Sequence, residues 1–545
     1  MLNPQPRLEQ GTPMNSFSRL FRMTVAATAL ALSLVPSMGH AEAGAKTLRF
    51  IPQADLRSID PIWTTAYVTR NFGYLVFDTL FSLDEDFKPQ PQMVDRWTAS
   101  DDKLTYRFIL RDGLKWHDGQ PVRAADCVAS LERWGKRDTL GQKLMEAVGQ
   151  MKAVDDKTFT IRLKSSFPLI LDALGKLSSN VPFMMPERLA KTDPYEQIAE
   201  AIGSGPFKFV KEEWEPGHKA VFVRNTDYVP REEAPSFASG GKVAKVDRVE
   251  WLYIPDSATA SAALNAGEVD WYEQPPTDLL PVFAGNPDVV VATVDPLGNQ
   301  GILRFNHVQP PFDNLKLREA VLNLVDQKEY MQAAAGDPKY WKTCVALFGC
   351  GTPLATQAGA EALLKAPDPA KAKELIADSG YRGEKIVLLD ATDQPIVHGQ
   401  ALVTLALLKE AGLNVELQAM DWGTLITRRA SKAPIGQGGW NIFHTWTSAP
   451  DLLSPAVDAA LRANDGKAWF GWPTDPKLEG LVDQWFKAPD FAAQKKLAAE
   501  IQTEAYQGDV PYVPTGQFVV PTAYRKNLHG IIIAPVVFFW NVEKD

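Results

Sequence analysis

Residues 443–451 read FHTWTSAPD, and this stretch raises the first question about the fold. An apolar run ends at Trp446, two hydroxyl residues follow, and a proline and an aspartate then turn the chain. The residues WNIFHTW (440–446) are typical of a buried strand. The pattern therefore predicts a strand whose carboxyl end presents an aromatic ring, hydroxyl groups and a turn.

The segments before this stretch alternate between predicted strands and helices. They are, in order, a helix in AKAKELIADSG (370–380), the strand EKIVLLD (384–390), a helix near 398–411, the strand NVELQAMD (414–421) and a helix, DWGTLITRRA, capped by Asp421. Strands that alternate with helices in this way pair in parallel through crossover connections. The sequence therefore predicts an α/β fold with a parallel sheet in the second half of the chain.

The carboxyl ends of these strands are the predicted ligand-binding edge, because ligands of open α/β sheets bind beyond the carboxyl ends of the strands. The ends are Asp390-Ala391-Thr392, Met420-Asp421-Trp422 and Trp446-Thr447-Ser448. We expect all three to lie at one edge of one sheet. The alternative is that Trp446 packs in the core and the hydroxyl groups cap a helix.

The first half of the chain contains shorter elements. The predicted elements are a strand at LRFIP (48–52), a helix over about 66–80, alternating strands at LTYRFIL (104–110) and TFTIRL (158–163), a helix from about Ala124, and the unit 246–274. The helix of this last unit is expected to be capped by Asp256 or Ser257 and to end at Gly267. This order of strands and helices predicts a small α+β subdomain followed by a compact strand–helix–strand unit.

The chain of 545 residues is long enough for two or three domains with hydrophobic cores. Arg19 and Arg22 precede an apolar run at 23–38 that ends in small residues, which is typical of a cleavable secretory signal. We predict that residues 1–43 are a signal peptide with an N-terminal extension and that the mature protein is periplasmic. The formal net charge of −9 argues against nucleic acid as a partner.

The expected export determines how the three cysteines of the chain are interpreted. Cys344 and Cys350 flank a short Gly-containing loop, and in an oxidising compartment we expect them to form a disulfide. Metal binding is the weaker interpretation of this pair, because no histidine lies nearby. Cys127 sits among apolar residues and is expected to be a buried thiol.

No catalytic motif stands out. The chain lacks the nucleophile elbow, the zinc-protease helix, the phosphate-binding loop and the dinucleotide fingerprint, and its seven histidines have no ligand spacing. We therefore expect no enzyme activity, catalytic residue, metal or cofactor. A secreted hydrolase remains one alternative. A periplasmic chaperone or a scavenger of haem or metal is another, and His444 is the one metal-ligating side chain near the predicted rim.

Several long segments resemble the periplasmic solute-binding proteins of ABC importers, in the family of dipeptide- and oligopeptide-binding proteins. The resemblance rests on YLVFDTLF (74–81), ILRDGLKWHDGQPVRAADCVASL (109–131), GSGPFKF (203–209), IPDSATASAALNAGEVD (254–270) and RFNHVQPPFDNLKLREAV (304–321). It implies a type II binding-protein fold with two lobes and three subdomains. A small ligand, a peptide or a peptide-like or opine-like solute, would lie in the cleft and be delivered to the permease of the inner membrane by a monomeric receptor.

The resemblance also implies the division of the chain. Lobe I would consist of residues 46–84, 204–298 and 514–545, with 85–203 as its accessory subdomain. Lobe II would be 299–513. The two crossings near 298 and 514 would form the hinge about which the lobes close over the ligand.

Candidate ligand-binding residues follow from matching positions and from the rim. A first group, in the loop after DPIW, comprises Thr65, Ala66 and Tyr67. A second comprises Trp422 and Arg429, which lie two turns apart on one helix and could meet a ligand carboxylate. A third comprises His444, Thr445, Trp446, Thr447, Ser448, Ala449 and Asp451. For Arg429 the alternative is a solvated side chain that covers the helix surface.

Ala449 departs from the family. Peptide binders carry an aspartate there, which pairs with the amino terminus of the peptide, whereas this chain has its nearest aspartate at Asp451. A buried ammonium without an anionic partner costs several kcal/mol. The departure therefore disfavours a free peptide amine and leaves blocked peptides, opines and modified sugars open as ligands, unless Asp451 takes over the role.

Overall fold

The computed structural model describes residues 46–545, so the predicted signal segment, residues 1–43, lies outside the described residues. Three sheets organise this part of the chain, with six, seven and four strands. Among residues 46–545, no helix is both long and apolar enough to cross a membrane.

The six-stranded sheet contains the stretch from which the sequence analysis began. Its strands, in spatial order, are Trp341–Lys342, Tyr512–Phe518, Asn299–Phe305, Ile442–Ser448, Ile386–Ala391 and Val415–Met420. Ile386–Ala391 runs parallel to both of its neighbours, with Leu389 opposite Phe443 and Ala391 opposite Met420. The predicted parallel pairing is therefore confirmed, and the three carboxyl ends meet at one edge of the sheet. The remaining pairs of this sheet are antiparallel.

The seven-stranded sheet is built from distant parts of the chain. Its strands, in spatial order, are Phe207–Phe209, Lys219–Arg224, Arg248–Leu252, Thr47–Ile51, Trp271–Tyr272, Thr522–Arg525 and Val289–Ala292. Thr47–Ile51 is parallel to the strands on either side of it, and the other pairs are antiparallel. The predicted helix of this region, Ser257–Ala266, is capped by the Asp256 side chain and ends at Gly267 with φ 76°. The left-handed backbone at that position suits glycine.

The four-stranded antiparallel sheet forms the small α+β part. Its strands are Val94–Ala99, Thr105–Leu110, Thr158–Leu163 and Val148–Ala153. Three strand pairs complete the β structure: Asp78–Thr79 with Phe183–Met184, Phe81–Leu83 with Pro89–Pro91, and Leu528–His529 with Glu543–Lys544.

Fourteen α-helices occur within residues 46–545. They are Tyr67–Val76, Ala124–Trp134, Thr139–Ala147, Ile170–Leu174, Glu187–Ala190, Ser257–Ala266, Leu315–Leu324, Gln327–Ala335, Glu361–Leu364, Pro369–Asp378, Pro395–Glu410, Trp422–Arg428, Pro476–Phe486 and Phe491–Glu504. Short 3₁₀ turns include Ala449–Asp451 and Asp465–Lys467.

Two local predictions have different outcomes. The helix expected over residues 66–80 ends at Val76, because Phe77 is extended and Asp78–Thr79 pairs with another strand, so its C-terminal boundary was wrong. The disulfide between Cys344 and Cys350 is present, and Cys127 is a buried free thiol.

The chain passes twice between the two large sheets. It leaves the seven-stranded sheet after Val289–Ala292 and enters the six-stranded sheet at Asn299–Phe305. It returns between Phe518 and Thr522. These two passages place both sheets side by side, with residues of both lining the same cavities.

Candidate functional site

Three adjoining cavities lie where the two large sheets face each other, with volumes of about 280, 50 and 50 Å³. Trp446 lines all three. The largest cavity is bounded by Ile51 and Tyr272 of the seven-stranded sheet and by Trp446 and Phe518 of the six-stranded sheet. We call these three cavities together the inner cleft.

Trp446 is held at the centre of the inner cleft by ring packing. Its ring stacks on that of Tyr67, with centroids 4.9 Å apart and an interplanar angle of 30°. On another side it meets the edge of Phe518 at 6.4 Å. Tyr67 begins the helix Tyr67–Val76, whereas Trp446 lies near the end of the strand Ile442–Ser448. The stacked pair therefore joins two segments that are distant in sequence, across the cleft.

Asp451 lies beside this pair, on the 3₁₀ turn that follows the strand, and only 2% of its surface is exposed. Its carboxylate accepts hydrogen bonds of 2.8 Å from the hydroxyl groups of Tyr67, Ser178 and Ser179. Burial, together with the charge of Asp451, raises the pKa of Tyr67 well above its usual value, so the phenol keeps its proton and donates it. The Tyr67 oxygen in turn accepts from the backbone N–H of Ser448 at 2.8 Å.

Arg429 is the most unusual charged group of the inner cleft. It follows the helix Trp422–Arg428, whose first turn is capped by Asp421, and it is only 2% exposed. Its guanidinium carbon lies 4.8 to 5.6 Å from the ring centroids of four aromatic side chains: Trp422, Phe443, Trp469 and Phe470. Such rings attract a cation but do not neutralise its charge.

The hydrogen bonds of Arg429 are incomplete. One terminal nitrogen donates to the Thr65 hydroxyl at 3.4 Å, and the buried Nε has no hydrogen-bond partner among the described residues. No carboxylate of residues 46–545 forms an ion pair with it. Burial therefore lowers the pKa of Arg429 to about 9, because no anion offsets the cost of desolvating its charge. A buried cation of this kind is suited to an anionic ligand group.

Comparison with known proteins gives a consistent result. The sequence profile of the bacterial extracellular solute-binding proteins, family 5 Middle, matches residues 88–458. A probable peptide ABC transporter periplasmic-binding protein of Sinorhizobium fredii, y4tO, is 42% identical over 533 residues, which cover 96% of this chain and 98% of the relative. The chain belongs to the extracellular solute-binding proteins of family 5.

More distant relatives agree with this assignment. The glutathione-binding protein GsiB of Pectobacterium atrosepticum is 25% identical, with coverage of 90% of this chain and 92% of that protein. The structure of the binding protein AgaA of A. tumefacien R10 with agropinic acid superposes with a TM-score of 0.76 at 20% identity, covering 92% of this chain and 99% of that chain. The predicted type II periplasmic binding protein fold is thus confirmed, and the relatives are named as binding proteins rather than enzymes.

Most of the predicted site residues of this family 5 protein line the inner cleft. They are Thr65, Ala66, Tyr67, Trp422, Arg429, Thr445, Trp446, Thr447, Ser448 and Asp451. Arg429 is buried against aromatic rings, whereas its half-buried neighbour Arg428 donates to the backbone of Gly438 and Gly439. The structure therefore places the arginine of the cleft at the predicted position.

His444 and Ala449 line none of the three cavities. His444 is fully buried against two helices, where its Nε2 is 2.8 Å from the Thr404 hydroxyl and its ring packs against Tyr330. Burial lowers its pKa to about 3, so the ring is neutral. Among residues 46–545, no group of three or more His, Cys, Asp or Glu side chains is arranged to hold a metal ion.

The sequence analysis missed several residues of the inner cleft. Trp469 donates from its indole nitrogen to the Thr65 hydroxyl at 3.1 Å, and the Tyr253 hydroxyl donates to Asp393 at 2.5 Å. Gln394 donates to the backbone carbonyl of Gln53 at 2.6 Å. These residues follow strands or lie in loops without periodic patterns. The aromatic cluster WFGW (469–472) was the one sequence signal that could have drawn attention to Trp469.

Proposed function

We propose that this family 5 protein is the periplasmic receptor of an ABC importer, which captures a small anionic solute in the inner cleft and delivers it to the membrane permease. Its relatives support this, since one is named a peptide transporter component and others are named for glutathione or were solved with an opine acid. The chain binds its solute without changing it chemically, acts as a monomer, and has no nucleic-acid partner. Export depends on the segment 1–43.

The lobes of the proposed receptor follow the two large sheets. Lobe I consists of 46–84 and 204–298 with the C-terminal segment, and carries the accessory part 85–203; lobe II follows from 299. We set the second crossing at 519–521 rather than at 514, since Tyr512–Phe518 pairs with Asn299–Phe305 in the six-stranded sheet. Closure about the two crossings would exclude water and strengthen polar contacts to the solute.

The solute class follows from Arg429, which is the observation that carries the proposal. A guanidinium that is 2% exposed, has an unpaired Nε and lacks a carboxylate partner lies in the wall of the cleft. A carboxylate of the solute would supply the missing anion by charge-assisted hydrogen bonds. We infer that the solute is a peptide-like or opine-like acid.

Asp451 has a different proposed role. Its carboxylate already accepts three short hydrogen bonds from hydroxyl groups, two of them from Ser178 and Ser179 on the opposite lobe. We assign it to closure of the cleft rather than to a solute amine. A solute whose amine is blocked or substituted therefore suits this cleft better than a free dipeptide.

The test compares Arg429→Gln with Arg428→Gln, which removes the same charge from the neighbouring, half-buried position. Each protein is purified natively, and the solutes released on denaturation are identified by mass spectrometry. We expect an acid to co-purify with the wild type and the Arg428→Gln variant, and to be lost from Arg429→Gln. The affinity for that acid should fall by at least about 30-fold, since removing one partner of a buried charge pair costs about 2 kcal/mol or more. Equal affinity in both variants would refute an acid held by Arg429.

A further inference from the structure

A further cavity, of about 380 Å³, adjoins the inner cleft on the side of Arg429. We call it the outer chamber. It shares Thr65, Ala459 and Trp469 with the inner cleft, and Phe470 both lines it and packs against the Arg429 guanidinium. Its walls come from Trp63 and Thr65, from the accessory part and from the segment 430–472. The hydrogen bond between Trp469 and Thr65 therefore stands at the boundary between the two spaces.

The charge of the outer chamber is of one sign. Four cationic side chains line it, and none of the described residues in its wall is Asp or Glu. The cations are Lys136, Arg137, Lys432 and Lys467. No ion pair within residues 46–545 involves any of these four side chains.

Two of these cations are held by aromatic rings instead of by carboxylates. The Lys432 ammonium lies 4.7 Å from the centroid of Trp472, and the Arg137 guanidinium lies 4.9 Å from the centroid of Tyr195. Arg137 also donates to the Trp63 carbonyl at 2.7 Å, whereas its buried Nε has no partner among the described residues. The rings orient the charges without neutralising them.

Two other cations on the stretch of chain that contains Lys136 and Arg137 do have carboxylate partners. On the same stretch of chain, Arg133 forms a buried ion pair with Asp60, and Lys143 is paired with both Glu146 and Asp483. Lys136 and Arg137 therefore differ from Arg133 and Lys143, which have carboxylate partners. Four unpaired cations around one space repel each other, and an anion bound between them would relieve that repulsion.

We propose that the outer chamber is a second anion subsite, and that the solute is an elongated acid whose first carboxylate binds Arg429 and whose second binds among Lys136, Arg137, Lys432 and Lys467. This inference rests on the proposed function, because it assigns a second part of the same solute. The shared wall at Thr65, Ala459 and Trp469 gives the path by which one molecule would reach both places. The second anion subsite narrows the solute class from an acid to a diacid.

The experiment uses a matched pair of probes, N-acetyl-alanyl-glutamate and N-acetyl-alanyl-glutamine, with several residues tried in place of alanine. Both probes carry one terminal carboxylate, and only the glutamate probe carries a second. Affinities are measured by calorimetry at pH 7 and low salt. The proteins are the wild type, Lys432→Gln with Lys467→Gln, and a control, Lys495→Gln with Lys496→Gln, which removes two charges from an exposed helix face.

We expect the wild type and the control to bind the glutamate probes at least tenfold more tightly than the glutamine probes. In the double variant, which carries Lys432→Gln and Lys467→Gln, the preference for the glutamate probes should fall below threefold. Its affinity for the glutamine probes should stay within twofold of wild type. Added salt should reduce the preference in the wild type. Equal affinities in the wild type, or a preference that survives in the double variant, would overturn the second subsite and leave the proposed function standing. If no probe binds the wild type and no acid co-purifies with it, both proposals are overturned.

Discussion

Two buried arginines of the proposed lobe II illustrate how a charge can serve the fold or a ligand. Arg304 is fully buried, and its guanidinium donates to four backbone carbonyls, those of Ala460, Trp469, Phe470 and Pro511. Arg429 is nearly as buried but donates to a single hydroxyl. A buried charge is tolerated when it is hydrogen-bonded. The hydrogen-bond donors of Arg304 therefore have partners without a ligand, whereas those of Arg429 do not all have one.

Trp446 and His444 lie two residues apart on one strand and differ in what they face. We expect Trp446→Ala to lower affinity for the co-purified acid by about 30-fold, because aromatic anchors at the centre of an interface contribute about 2 kcal/mol or more. His444→Gln should leave the affinity within about twofold, since the ring lines none of the three cavities. Calorimetry on both variants, with folding checked by circular dichroism, measures this. A larger loss in His444→Gln than in Trp446→Ala would contradict the assignment of the cleft.

His444 should also contribute to the pH dependence of stability. Burial lowers its pKa to about 3, whereas an exposed histidine has a pKa of about 6.5. Below pH 6.5 the unfolded chain therefore binds a proton that the folded protein does not, and the free energy of unfolding falls as the pH drops. Between pH 6.5 and 4.5 we expect His444→Gln to lose about 2 kcal/mol less than the wild type.

The measurement is urea unfolding at a series of pH values. His529→Gln is the control, because it makes the same substitution at an exposed histidine. Parallel curves for wild type and His444→Gln would mean that the ring is not held neutral in the folded protein.

At the scale of elements, the inner cleft is closed by a strand end against a helix start. The strand Ile442–Ser448 and the turn Ala449–Asp451 bring Trp446 and Asp451 to the first turn of the helix Tyr67–Val76. The Tyr67–Trp446 ring stack and the hydrogen bond from Tyr67 to Asp451 connect them. Ser178 and Ser179 donate two further hydrogen bonds to Asp451. In the proposed closed state, Asp451 is the acceptor on which these bonds converge.

Asp451→Asn should weaken closure, because an amide nitrogen cannot accept the hydroxyl hydrogen bonds and the lost charge weakens those that remain. Hydrogen bonds to a charged group contribute about 1.5–3 kcal/mol, so we expect a loss of solute affinity of about tenfold to 100-fold. The loss should be equal for probes with a free amine and with an acetylated amine. Exposed Asp378→Asn is the control. A loss confined to free-amine probes would instead make Asp451 the amine-binding group.

At the scale of the whole molecule, two chain passages connect the large sheets, and the inner cleft lies where those sheets face each other. The proposed receptor function requires the lobes to rotate about these passages when a solute binds. We expect the radius of gyration from small-angle X-ray scattering to decrease when the co-purified acid is added back to stripped protein. The Trp446→Ala variant, measured without bound acid at the same protein concentration, should keep the larger radius of gyration. Identical scattering curves with and without acid would show that binding does not close the cleft.

The parallel strands, the helix caps and the rim could be predicted from sequence because each depends on residues close together in the chain. Alternation of strands and helices predicted the edge where Trp422 and Trp446 meet, and Asp256 and Gly267 marked the ends of one helix. The helix predicted to reach residue 80 failed for the opposite reason. Asp78–Thr79 is a strand only because Phe183–Met184, about a hundred residues away, pairs with it.

The sequence by itself determined the family, the parallel edge, the disulfide and a group of residues around Trp446 that line the inner cleft, since these follow from local patterns and motifs. Only the tertiary structure decided which charges are paired. Arg429 and Arg304 look alike in sequence, and so do Lys143 and Lys432. A charge is neutralised or left free by side chains that arrive from remote segments, and electrostatic interaction depends on distance in space rather than on distance along the chain.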